Sequence, residues 1–173
     1  PLDKINYHSL SVKKSNLNYI YSFNYDRHNN EICKLESRQL FKEEENDKLL
    51  FSNIKVDPSI SSFIKNRLDI ILSSENYSDL LEKIKEEDIH AEEFKVEYLI
   101  LEGDATGYRD RLQKLRDIGY SIEGESNYHA PTITYAIGNY RDVWYFGILN
   151  KKNTDWQKHK KKPYSFSNSL SID

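Results

Sequence analysis

Several things are scarce in this sequence, and each shortage excludes something. One cysteine, Cys33, cannot form an internal disulfide or supply a zinc cluster, so a reducing compartment is expected. Methionine is absent, the first residue included, and Pro1 is read as a processed or trimmed start. With six glycines and four prolines in 173 residues, collagen-like and low-complexity linker compositions are ruled out. No apolar run approaches the roughly eighteen residues of a membrane span, and Pro1 to Ser9 lacks the layout of a signal peptide. The expected address is the cytoplasm, away from membranes.

Catalytic patterns are equally thin. His8, His28, His90, His129 and His159 occur singly, without the spacing of zinc ligands, so no metal is expected. No Gly-x-Ser-x-Gly elbow is present, and Glu86 with Glu87 or Glu92 with Glu93 are adjacent residues that point to different sides. Gly103 to Gly107 falls where phosphate-cradling loops sit, but it has neither the third glycine of a dinucleotide fingerprint nor a Gly-Lys-Ser/Thr. The chain is read as non-catalytic, without catalytic, cofactor-binding or metal residues.

Aromatics and charge are abundant instead. Thirteen tyrosines, seven phenylalanines and two tryptophans are far more than a disordered chain carries, although 31 % of residues are charged. The chain therefore folds. The net charge of −3 is unevenly spread. Acids dominate from Glu75 to Asp104, whereas Lys151 to Lys162 holds six lysines against one acid, Asp155.

Periodicity gives the elements. Asn18 to Tyr25 alternates as a strand, and Glu31 to Phe41 is a helix capped by Asn30 with Cys33, Leu40 and Phe41 on one face. Leu49 to Val56 is a strand broken by Asp57-Pro58-Ser59, and Arg67 to Leu72 is strand-like. Ser78 caps a helix through Glu87, Phe94 to Leu101 is a strand, and Tyr108 to Ile118 is a helix ended by Gly119. Thr132 to Ile137 and Val143 to Leu149 form a hairpin about Gly138 to Asp142. The order predicts an α+β architecture of mostly antiparallel sheets with helices on one face. It divides into residues 1–74, 75–150 and a basic linker 151–173.

RNA binding requires cations for phosphates and flat groups for unpaired bases. Lys151, Lys152, Trp156, Lys158, His159, Lys160, Lys161 and Lys162 offer both, and a solvated linker would have the same composition. Arg109, Arg111, Lys114 and Arg116 line a second basic face on the Tyr108 helix, unless Asp110 and Asp117 pair with them. Lys65 and Arg67 complete the candidate contacts.

At this point the letters resemble a known family. Trp144-Tyr145-Phe146-Gly147, Trp156, His159, Lys162-Pro163-Tyr164-Ser165 and Ser169-Leu170-Ser171 resemble the segment leading into the catalytic domain of a bacterial family of RNA methyltransferases, related to enzymes that methylate guanosine N2 in tRNA. Cys33-Lys34-Leu35-Glu36, Arg38, Leu40-Phe41, Val56-Asp57-Pro58-Ser59, Ser62-Phe63-Ile64-Lys65 and Arg67 resemble the same family's front end. The resemblance implies a ferredoxin-like lobe followed by a THUMP-like αβαββ lobe. It further implies RNA, in particular tRNA, as partner, and an S-adenosylmethionine-dependent methyltransferase domain beyond Asp173. No cofactor is expected in this chain itself. The alternative is a protein-interaction or scaffolding domain whose acidic stretch, Glu75 to Asp104, docks a partner.

Overall fold

The structure, a computed structural model, describes residues 18–152. Ten elements follow one another: β1 (Tyr19–Phe23), α1 (Asn30–Phe41), β2 (Leu49–Ser52), β3 (Ile64–Ser74), α2 (Tyr77–Glu87), β4 (His90–Tyr98), α3 (Tyr108–Ser121), β5 (Glu123–Ser126), β6 (Ile133–Tyr140) and β7 (Val143–Lys151). The fold is α+β, and from α2 onward the order is αβαβββ, with one strand, β5, more than the αβαββ expected. All seven strands join one sheet in the order β2-β1-β3-β7-β6-β4-β5. Pairing is antiparallel from β2 across to β6, and parallel for β6 with β4 and β4 with β5.

Strand alternation places all three helices on one face. Ile20, Leu68 and Leu149 lie in register across β1, β3 and β7 and share a cluster on the helix-free side. The neighbouring register, Tyr21 beside Arg67 and Asp69 beside Ile148, therefore faces the other way. On that side Tyr21 and Phe23 pack on Cys33 and Phe41 of α1. Leu80 and Ile84 of α2 and Ile118 of α3 pack there on Phe94, Val96, Tyr135, Ile137 and Phe146. Leu99 and Leu101 cover part of the opposite face as the chain leaves β4. This crossing is close: a Cβ on Gly138 would lie 2.8 Å from the Leu99 carbonyl oxygen.

Local boundaries differ from the expected ones for identifiable reasons. A short 3-10 turn, Arg27–Asn29, precedes α1, so Asn30 is the first helical residue and Asn29 occupies the cap. At α2 the cap is Asn76, whose side chain accepts hydrogen bonds from the Ser78 and Asp79 amides, and Ser78 lies inside the helix. α3 runs through Gly119 to Ser121, since a glycine without positive φ can continue a helix. The hairpin turn is Arg141-Asp142, with φ of 51° and 65°, and Gly138 belongs to β6. β5 was not expected at all: its four residues are all exposed and none is apolar.

Candidate nucleic-acid interface

α3 carries the first set of candidate cations. Its 14 residues include Arg109, Gln113, Arg116 and Tyr120, all exposed and spaced at i, i+4, i+7 and i+11, hence on one stripe. Tyr120 is 87 % exposed, a free ring of the kind on which a base can stack. Arg116 Nη1 donates to Gln113 Oε1 at 3.2 Å. Arg111 and Lys114 turn toward the sheet. The Arg111 guanidinium sits 5.7 Å from the Tyr98 ring and 5.9 Å from the Tyr108 ring. Lys114 Nζ lies 4.6 Å from the Tyr77 ring and 5.3 Å from that of Trp144.

Cation–π contacts of this kind hold a charge in place without neutralising it. Among the described residues none of these four cations has a carboxylate partner; Asp117 is instead bonded by Tyr77 and Gln113. Burial, followed by the adjacent Asp117 carboxylate, raises the Tyr77 phenol, and burial with the Asp104 hydrogen bond does the same for Tyr98. Both rings therefore stay neutral beneath their cations.

The second set gathers where β3 begins and β7 ends. Asn66 is in register with Lys151, and the Lys152 amide donates to the Lys65 carbonyl at 3.3 Å. Lys65 is exposed and Lys152 half-buried. Lys151 Nζ reaches Glu97 Oε2 at 3.0 Å, and Lys95 reaches the same oxygen at 2.7 Å. Arg67 is only 7 % exposed. Its Nε and Nη2 donate to Asp69, and Nη1 donates to the Val56 carbonyl at 3.0 Å. Its charge is thus engaged inside the sheet's helix-bearing side. Trp156, Lys158, His159, Lys160, Lys161 and Lys162 lie outside the described residues.

The two sets stand at opposite ends of β7, because Lys114 lies over Trp144 near its start and Lys151 closes it. At ~3.4 Å per residue this separates them by about 24 Å. The fold also brings together residues that spacing could not connect. His90 at the start of β4 faces Asp88 Oδ2 at 3.3 Å and Glu123 Oε1 at 2.9 Å, all three exposed. A cleft of ≈ 620 Å³ opens on the helix-free face, with Ser22, Asn66 and Lys48 in its lining beside Lys65, Lys151 and Lys152. Asn66 is a polar residue inside a strand pattern, and only the sheet register shows which face it occupies. No helix of the structure is long and apolar enough to cross a membrane.

The fold defined by these elements is an α+β domain of one twisted sheet with helices on a single face. No protein-family model matches the chain, and no curated protein matches it. Solved structures do. A 4-thiouridine synthetase, crystallised as an RNA complex with bound ATP, is similar with a TM-score of 0.50 at 13 % identity, over 79 % of this chain and 42 % of that one. TrmN from Thermus thermophilus is similar with a TM-score of 0.52 at 9 % identity, over 88 % of this chain and 50 % of that one. Such identities establish likeness of fold. The chain spans half or less of the length of either protein.

Proposed function

We propose that this chain is an RNA-binding, substrate-presenting region of a tRNA-modifying protein. Its target is tRNA, and its partner is an S-adenosylmethionine-dependent methyltransferase domain on the same polypeptide, in the cytoplasm. The observation that carries the reading is the outward stripe of α3. Arg109 and Arg116 stand there without carboxylate partners among the described residues, with the exposed Tyr120 one turn beyond. The 4-thiouridine synthetase of like fold, whose structure holds RNA, supports the same class of ligand. The methyltransferase assignment is supported by the resemblance of the Trp144 to Ser171 segment to the approach to such a domain.

In this reading the arginines bind backbone phosphates, Tyr120 stacks an unpaired base, and the lysines from Lys151 to Lys162 extend the contact along the strand. Binding is then electrostatic at its base and weakens steeply as salt rises. Arg109→Glu with Arg116→Glu is expected to reduce tRNA affinity at least tenfold and to lower the salt slope by about two phosphate contacts. Fluorescence anisotropy with labelled tRNA at several salt concentrations measures both quantities. Unchanged affinity and slope in a folded double variant would remove α3 from the interface.

A further inference from the structure

The cleft on the helix-free face has a composition the α3 stripe does not explain. Its walls are Leu49, Leu99 and Leu149. Asn66 lines it, is 8 % exposed, and makes no side-chain hydrogen bond among the described residues. Beside Asn66 in register, Ser22 also lines the cleft, and its hydroxyl is buried with no hydrogen-bond partner. The Ser22 hydroxyl is thus an orphaned buried group at the cleft wall, and the Asn66 amide beside it has no partner among the described residues and is open to whatever enters the cleft. On the rim, Lys48, Lys65 and Lys152 carry no ion pair among the described residues; of the three lining carboxylates Glu97 is paired with Lys95 and Lys151, and Asp47 and Glu102 leave the rim with a net positive charge.

From these features we infer that the cleft is a nucleotide site, taking one unpaired base against the leucines with its edge on Asn66 and Ser22 and its phosphate on Lys65 and Lys152. The chemistry is selective. A free phosphate would leave the leucine walls bare, and a fatty acid would leave the amide and hydroxyl unpaired. A side-chain amide presents a donor beside an acceptor, the pattern that pairs with an adenine edge. The volume lies within the several hundred Å³ usual for small-molecule sites. A base held in a duplex cannot enter, because it is stacked between its neighbours and would have to be unstacked first.

The inference deepens the RNA reading and rests on it for one of two sources of the nucleotide, an RNA residue or a free mononucleotide. The test is an NMR titration of the full chain with AMP and, separately, with a single-stranded adenylate RNA hexamer. Expected are shifts at Ser22, Leu149 and the Asn66 side-chain amide with both ligands, and at least tenfold weaker AMP binding in Asn66→Ala. Lys65→Glu with Lys152→Glu should weaken AMP but leave adenosine unchanged, since adenosine lacks the phosphate. Shifts confined to α3, or equal AMP affinity in Asn66→Ala, overturn the site while leaving RNA binding intact. AMP binding without hexamer binding upholds the site and removes the RNA reading. Should Asn66→Ala fail to fold, the wild-type shift map decides alone.

Discussion

Single residues here are set more by what surrounds them than by their own type. Glu45 has a fully buried side chain that accepts hydrogen bonds from Lys34 Nζ at 3.2 Å, the Lys48 amide at 2.9 Å and the Tyr25 hydroxyl at 3.2 Å. Its field reaches Cys33, whose thiol is pushed up to about 12 by burial first and then by Glu45 and Glu36. The attacking species in thiol chemistry is the thiolate, and from an ordinary value near 9 this displacement lowers its population roughly a thousandfold at pH 8. Cys33 is also wholly inaccessible. In the native protein it should therefore fail to react with Ellman's reagent at pH 8 over hours, and react at once in guanidinium. Prompt reaction of folded protein would show that α1 opens readily from the sheet.

At the scale of elements, the Lys95, Glu97 and Lys151 group ties the end of β4 to the end of β7 across β6. Burial raises the Glu97 carboxyl, but hydrogen bonds and charge from Lys95 and Lys151 outweigh it and hold the group below the usual carboxylate range. A folded-state value depressed in this way adds stability that is present above the unfolded value, about 4.3 for Glu, and is lost as pH falls through the lower folded value. Glu97→Gln should accordingly cost about 0.5–1 kcal/mol at pH 7, as partly exposed pairs do, and close to nothing at pH 3. Urea unfolding of both proteins at the two pH values tests this; a deficit that persists at pH 3 would assign the loss to packing. The same elements show what sequence could reveal. Strong periodicity exposed β1, α1, α2, α3 and the β6–β7 hairpin, because each has an apolar face to bury. β5 has none; it exists through backbone pairing with β4, and Gly124 brings its backbone so near Ala91 that a Cβ would lie 1.7 Å from the Ala91 carbonyl oxygen. The basic stripe on α3 was legible from helical spacing. The nucleotide cleft was not, since Ser22, Asn66, Leu99 and Lys152 come from distant parts of the chain and meet only in the folded sheet.

For the whole molecule, the decisive feature is the seam between β3 and β7. Residues 18–74 and 75–152 each have a helix-covered apolar cluster, yet their strands pair from Asn66 with Lys151 to Ser74 with Trp144 as one continuous sheet. The helix-free cluster spans that seam, with Ile20, Leu49 and Leu68 on one side and Leu149, Leu99 and Ala136 on the other. Separating the halves would expose this cluster and leave a row of central backbone groups unpaired, which is costly enough to couple their unfolding. Two probes report the halves separately: Cys33 accessibility for the first, and Trp144 fluorescence for the second once Trp156→Phe leaves a single tryptophan of the chain's two. Their urea midpoints should coincide, the expected signature of one cooperative unit. Gly147 supplies the perturbation, because a Cβ there would lie 2.0 Å from the Asp69 carbonyl oxygen across the seam. Gly147→Ala should lower both midpoints together, the loss of stability being about 2 kcal/mol for a forced backbone shift. If the tryptophan transition moves and the thiol transition stays, the sheet is continuous in geometry but not in energy, and the halves fold as independent domains.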